Sequence, residues 1–198
     1  MQEVYQPRED SYLLRKYLGK YVKGIVLDMG TGSGILALEA AKSRKVVKVF
    51  GVDVNEEAIK YCIRNIKNKK ILFMCSNLFS VFKKEEAYKN IKFDTILFNP
   101  PYLPTDPRYG DIALDGGKCG YELICKFLHE SKRFLKPKGK ILMVFSSLTG
   151  KERIDLFLQR NNWEYLVLEK KHIFFEDLYL YLIKNANKRN KRRKDKGY

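Results

Sequence analysis

The stretch Ile25-Val26-Leu27-Asp28-Met29-Gly30-Thr31-Gly32-Ser33-Gly34 leaves this chain few folds to choose from. Its first half is apolar apart from Asp28 and reads as a short buried strand. Glycines at alternate positions then let the backbone turn where a Cβ would collide, and residues 35–43 carry the spacing of a helix. A strand that passes through a glycine turn into a helix begins a parallel sheet with helical crossovers, in which ligands sit beyond the carboxyl ends of the strands. The alternation continues down the chain. Residues 46–52 form a strand ending in Asp53, residues 56–68 a helix capped by Asn55, and residues 71–75 a strand followed by Asn77. A lysine-rich connection leads to a strand at 93–98, and a long loop at 103–120 leads to a helix at 121–134. Pro137-Lys138-Gly139 turns the chain before a strand at 141–145 and a helix at 152–160. Two β-rich runs, 165–169 and 179–183, are close enough to pair antiparallel at a sheet edge. Ahead of all this, a helix begins near Asp10 or Ser11, either of which suits its cap. The predicted fold is an α/β doubly wound sheet, mostly parallel with an antiparallel edge strand, in one domain over residues 1–184.

The strand at 93–98 delivers Asn99-Pro100-Pro101-Tyr102 to the carboxyl end of the sheet. Two consecutive prolines remove two backbone donors and hold Asn99 extended, so the Asn99 carboxamide and nearby carbonyls face outward as acceptors. Such a cup suits a planar NH2 group, with one hydrogen on the Asn99 side-chain oxygen, the other on the Pro100 carbonyl, and the Tyr102 ring against the flat face. The same four residues would also serve as an ordinary loop after a strand.

Composition narrows the remaining classes. The chain has 198 residues, 45% hydrophobic and 31% charged, enough to bury its own core. No run of eighteen apolar residues and no signal pattern is present, which predicts a soluble cytoplasmic protein with no membrane contact. Cys62, Cys75, Cys119 and Cys125 form no C-x-x-C pair and only His129 and His172 could join them, so no metal site is expected. The net charge of +16 is uneven: residues 185–198 hold seven bases and one acid, a surplus of +6. That tail is expected to be disordered, either as a solvated run or as an electrostatic arm giving nonspecific contact with nucleic acid.

Gly32-Ser33-Gly34-Ile35-Leu36-Ala37 also fits the dinucleotide pattern G-x-G-x-x-A. Two features point elsewhere, and a third suits both classes. Asp28, two residues before Gly30, could take an ammonium group that a dinucleotide lacks. Glycines at 30, 32 and 34 admit a ligand along the whole turn, where a pyrophosphate wants the helix N-terminus. Asp53 at the end of the second strand can accept both hydroxyls of a ribose, in either class.

Asp28-Met29-Gly30-Thr31-Gly32-Ser33-Gly34 resembles the first motif of class I S-adenosylmethionine-dependent methyltransferases, and Asn99-Pro100-Pro101-Tyr102 resembles their amino-methylating motif. Two further stretches, Val4-Tyr5-Gln6-Pro7-Arg8-Glu9-Asp10-Ser11 and Ala113-Leu114-Asp115-Gly116-Gly117 continued by Gly120-Tyr121-Glu122, resemble the short form of the HemK family. Members of that form methylate the glutamine of the Gly-Gly-Gln motif in eukaryotic-type and archaeal release factors, in translation termination. The likeness covers nearly all of residues 4–184 and includes no extra N-terminal helical domain of the bacterial kind, which favours the archaeal or eukaryotic branch. It implies a Rossmann-like sheet and S-adenosyl-L-methionine as cofactor. It implies that Pro7 and Ser11 close over that cofactor, Asp28 and Gly30 line its methionine end beside Gly32 and Gly34, Asp53 binds the ribose, and Asn77-Leu78 border the adenine. The family usually has aspartate at position 77; asparagine keeps an oxygen acceptor and loses the charge. Eukaryotic relatives and some archaeal ones also imply a small zinc-binding activator subunit.

The implied chemistry is direct methyl transfer. A carboxamide nitrogen is a poor nucleophile and no Cys or His stands ready to help, so positioning must supply much of the rate, a contribution of about 7 to 11 kcal/mol in favourable cases. Acceptors from Asn99 and Pro100 would hold the nitrogen in line with the sulfonium methyl and stabilise the charge that develops on it. The exposed Arg8 and Glu9 read either as solvated charges or as substrate contacts. Adenine in DNA or RNA also offers an exocyclic amine, and protein lysine is a further acceptor used by relatives. Base flipping needs surface to grip the flanking strand, and a chain of this length has no separate recognition domain for it.

Overall fold

The computed structural model describes residues 4–101 and 120–186. Tyr102, most of the loop expected at 103–120 with the stretch from Ala113 to Gly117, Cys119, and the tail from residue 187 lie outside the described residues. Seven strands form one sheet: β1 (Gly24–Met29), β2 (Val46–Asp53), β3 (Ile71–Cys75), β4 (Phe93–Phe98), β5 (Leu135–Ser146), β6 (Trp163–Ile173) and β7 (Glu176–Asn185). Their order is β3-β2-β1-β4-β5-β7-β6, with the first five parallel and β7 antiparallel to both of its neighbours. The order reverses between β1 and β4, which opens a crevice at their carboxyl ends. Among the described residues six α-helices cover the sheet: α1 (Glu9–Tyr21), α2 (Ile35–Ala41), α3 (Glu56–Asn65), α4 (Ser80–Lys84), α5 (Glu122–Phe134) and α6 (Lys151–Arg160).

Both faces of the central strands are buried, which is why they read as near-continuous apolar runs. Val26, Leu97, Leu142 and Val144 turn to one face and pack with Leu14 and Leu18 of α1, Ala37 and Ala40 of α2, and Ile59 of α3. Leu27, Ile96, Phe98, Ile141 and Met143 turn to the other and meet Phe82 of α4, Phe127 and Phe134 of α5, and Ile154 of α6. That second face is rich in rings. Phe79 and Phe134 stack with centroids 4.8 Å apart, and Phe82 meets Phe93 edge-on at 5.2 Å.

The structure departs from the sequence reading in five places. Helix α1 begins at Glu9 with Arg8 as its unbonded cap; Asp10 and Ser11 are buried and do not cap it. Helix α3 stops at Asn65 because Ile66 turns extended to pack beneath Gly34. The lysine-rich connection contains α4 and a short 3-10 turn, Glu86–Tyr88. Pro137-Lys138-Gly139 turns the chain inside β5: Phe93 pairs with Leu135 and Thr95 with Lys140, so the extra residues of β5 bulge between those pairs. The last two strands are longer than expected and make a hairpin that runs past the end of β5, with β7 inserted beside β5 and β6 at the edge.

Candidate active site

The glycine turn joins β1 to α2 and takes left-handed backbone at Gly30, Gly32 and Gly34, with φ of 66°, 51° and 79°. At Gly34 a Cβ would also stand 2.5 Å from Ile66 Cδ1 and 3.0 Å from Cys62 Sγ, so only glycine fits. Asp28 shapes this turn from within. It is fully buried, and its Oδ2 accepts the Thr31 hydroxyl at 2.7 Å and the Ala37 backbone N–H at 3.0 Å. Its Oδ1 is buried without a partner. Burial pushes the Asp28 carboxyl up to about 7 against the pull of these two hydrogen bonds, and the nearby Asp53 charge adds to the rise.

Asp53, at the end of β2, holds the outer side of the same turn. Its Oδ2 accepts the Gly32 N–H at 2.8 Å and its Oδ1 the Asn55 N–H at 2.9 Å, while Asn55 caps α3 by accepting from Glu57 N. Burial raises the Asp53 carboxyl, and its backbone donors lower it. Each oxygen retains a lone pair for a hydroxyl. Asn77 is exposed past the end of β3. Leu78 has φ 48° and sends its side chain into the aromatic core with Phe79 and Phe82, so that side chain is not free to meet a ligand.

The second motif meets the first. Asn99 leaves the end of β4, and its carbonyl oxygen lies 3.9 Å from where a Cβ of Gly30 would stand. The Asn99 Nδ2 donates to Ser11 Oγ at 3.2 Å, which leaves Asn99 Oδ1 buried without a partner. Pro100 is buried and Pro101 half-buried behind it. Residues 5–11 form a strap across both motifs. Tyr5 packs over Gly32, its Cβ and carbonyl 3.5 Å and 3.6 Å from the position a Gly32 Cβ would take. The Tyr5 hydroxyl donates to the Asp10 carboxylate at 2.7 Å and 2.9 Å, and burial together with that carboxylate raises the Tyr5 hydroxyl far above its ordinary range. Pro7 sits half-buried between the two ends of the strap.

Tyr5, Asp10 and Thr31 contribute to the site without having been singled out from the sequence. An acid just before a helix reads as a cap, and nothing in its spacing announces a buried partner five residues back. Among the described residues, buried unpartnered side-chain atoms occur at four places, and two of them, Asp28 Oδ1 and Asn99 Oδ1, are here. Buried acceptors are nearly always satisfied in native proteins, so these two are suited to donors from a bound molecule. An ammonium and a carboxamide NH2 are donors of the right kind.

The methyltransferase small domain family matches residues 9–174. The chain belongs to that family. A putative protein N5-glutamine methyltransferase of Methanocaldococcus jannaschii is 37% identical to this methyltransferase over 183 residues, covering 89% of each chain. A release factor glutamine methyltransferase of Thermodesulfovibrio yellowstonii is 32% identical over 133 residues, 60% of this chain and 45% of the relative, so the methyltransferase spans about half the length of that bacterial protein. Among solved structures, the Mtq2-Trm112 complex of E. cuniculi, described as responsible for the methylation of the termination factor eRF1, shares the fold with a TM-score of 0.71 at 22% identity, covering 92% of this chain and 98% of its own.

Proposed function

We propose that this methyltransferase transfers a methyl group from S-adenosylmethionine to the side-chain amide nitrogen of the glutamine in the Gly-Gly-Gln motif of a class I release factor. One observation carries the reading: the Asn99 carboxamide is anchored by its nitrogen to Ser11 and keeps its oxygen buried, unpartnered and beside the glycine turn. The names of the archaeal and bacterial relatives point to the same acceptor. When bound, S-adenosylmethionine supplies an electrophilic sulfonium methyl.

Asp28 Oδ1 would accept from the cofactor's ammonium, Gly30, Gly32 and Gly34 would let its methionine part approach the backbone, Asp53 would accept from the ribose hydroxyls, and Asn77 with the Leu78 backbone would border the adenine. Asn99 Oδ1 and the Pro100 carbonyl would take the two hydrogens of the substrate amide, and Tyr102 would stack on its flat face. These acceptors hold the nitrogen in place and favour the positive charge it gains in the transition state. Proton loss follows methylation, so the chain needs no strong base. The strap through Tyr5, Pro7 and Ser11 closes the site and excludes water.

The reading extends to a small zinc-binding activator subunit, to a cytoplasmic setting, and to nonspecific attraction of nucleic acid by the basic tail. For the activator, the support is a structural relative in complex with Trm112. The test is one assay with labelled S-adenosylmethionine that offers purified release factor, release factor with its Gly-Gly-Gln glutamine replaced, DNA and RNA side by side. Label in the first alone is the expected outcome. Label that survives replacement of the glutamine moves the acceptor to another side chain such as lysine, and label in nucleic acid overturns the reading.

A further inference from the structure

The hairpin of β6 and β7 ends in Phe174-Phe175, and both rings stand in solvent, 90% and 98% exposed. Folding does not explain them. Ile173 pairs with Glu176, so the two phenylalanines are a two-residue turn, and Phe174 takes φ 42° at the first turn position, where hairpins of this kind favour glycine. A bulky residue held in left-handed backbone is a costly choice, and such outliers gather at functional positions.

The turn is also held firmly. Asp177 accepts from His172 Nδ1 at 3.0 Å and from Lys170 Nζ at 2.9 Å, while its backbone N–H donates to Ser147 Oγ at 3.0 Å. These contacts fix the strands that flank the tip, so binding would order chiefly the two rings.

Register places the tip beside the site. Phe98 pairs with Met143 on β5, and Ser146 of β5 pairs with Leu178 of β7, so the chain of pairings leads from the Asn99 level up to the turn. At about 3.3 Å per residue, the tip stands roughly 16 Å beyond Asn99 along the strands and, two strands over, about 10 Å to one side. It rises from the same edge of the sheet that carries the glycine turn and Asn99. A glutamine side chain reaches only about 5 Å from its own backbone, a little over one residue's length of strand. A folded protein that inserts a glutamine into the Asn99 cup must lay its surface against whatever flanks that edge.

We propose that Phe174 and Phe175 are a recognition wedge that enters an apolar cleft on the folded protein substrate, next to the loop that offers its amide. This rests on the reading of the substrate as a protein and says how that protein is gripped. Two adjacent aromatic rings on a rigid support have the character of binding hot spots. They lie outside the chemistry, so they contribute to capture of the substrate and not to the methyl transfer itself.

Steady-state kinetics on purified release factor test it, comparing the parent with F174S/F175S and with F174L/F175L. The serine pair is expected to raise KM at least tenfold with kcat within twofold, and the leucine pair to recover most of the loss. Thermal midpoint and S-adenosylmethionine affinity should match the parent, because the rings touch neither core nor cofactor. An unchanged KM in the serine pair overturns the wedge while leaving the glutamine reading intact. If the parent, supplied with its activator subunit, fails to methylate release factor, the glutamine reading falls and takes the wedge with it. A parent that self-associates in sedimentation and is released to monomers by the serine pair also overturns the wedge, by making the tip a contact between copies.

Discussion

Ser11 and Asn99 stand 88 residues apart, and their one hydrogen bond decides which end of the Asn99 amide faces the crevice. Asn99→Ala removes the acceptor and should lower turnover at least a hundredfold, about 2.7 kcal/mol, with S-adenosylmethionine affinity changed little. Ser11→Ala leaves the acceptor present but free to rotate, so a smaller loss of about tenfold in kcat is expected, again with cofactor affinity near the parental value. Single-turnover rates and calorimetric affinities on the two variants separate these effects. Asp28 makes a prediction about pH. Its carboxyl is raised from the ordinary 3.8 to about 7, so across that window the folded protein holds a proton that the unfolded chain has released. The Asp28 contribution to stability therefore falls as pH rises from about 4 to about 7. An ammonium beside the unpartnered oxygen favours the carboxylate, so binding below pH 7 expels the proton, and affinity for S-adenosylmethionine should climb with pH until about 7. Calorimetry between about pH 5.5 and about 7.5 should show that slope in the parent and a flat line in Asp28→Asn.

At the scale of elements, the glycine turn is where backbone and packing are least forgiving. Gly34→Ala sets a Cβ 2.5 Å from Ile66 Cδ1 in a conformation with φ 79°, and a loss of about 2 to 4 kcal/mol is expected from strain and overpacking together. Gly19, inside α1 with nothing within 4 Å of its Cβ position, is the opposite case; Gly19→Ala should add about 0.5 to 1 kcal/mol. Urea midpoints of the two variants, measured with the parent, check both signs. The central strands were legible in the sequence because runs such as Ile25 to Leu27 and Ile141 to Phe145 are continuously apolar, and the longer helices because their apolar residues recur with the helical period. Helix α4 was not, since five residues are too few to show a period. The outer part of β6 was missed because Lys170, Lys171 and His172 lie on an edge strand with one neighbour, and no buried face imposes alternation there. In the site, Gly30, Gly32, Gly34, Asp53 and Asn99 were legible from local spacing. The strap contacts, Tyr5 to Asp10 and Ser11 to Asn99, were not, because each depends on a chain crossing that no short pattern encodes.

For the molecule as a whole, charge and chemistry are separable. The +6 carried by residues 185–198 acts through a field screened over about 8 Å at physiological salt. Deleting residues 187–198 should leave release-factor methylation within twofold at moderate salt, and should weaken association with RNA chiefly at low salt. Rates and filter binding at two salt concentrations measure both. The strand order carries a different consequence, for the way the chain is made. Residues 176–185 form the strand that lies between β5 and β6, so β6 is synthesised before the strand it docks on. A ribosome pausing anywhere before residue 176 would hold a nascent chain whose β5 edge is open and whose Trp163-to-Ile173 segment is unpaired. Such edges are templates for wrong pairing. The time for which the β5 edge stays open during synthesis should therefore depend on how quickly residues 176–185 follow residues 163–173 out of the ribosome.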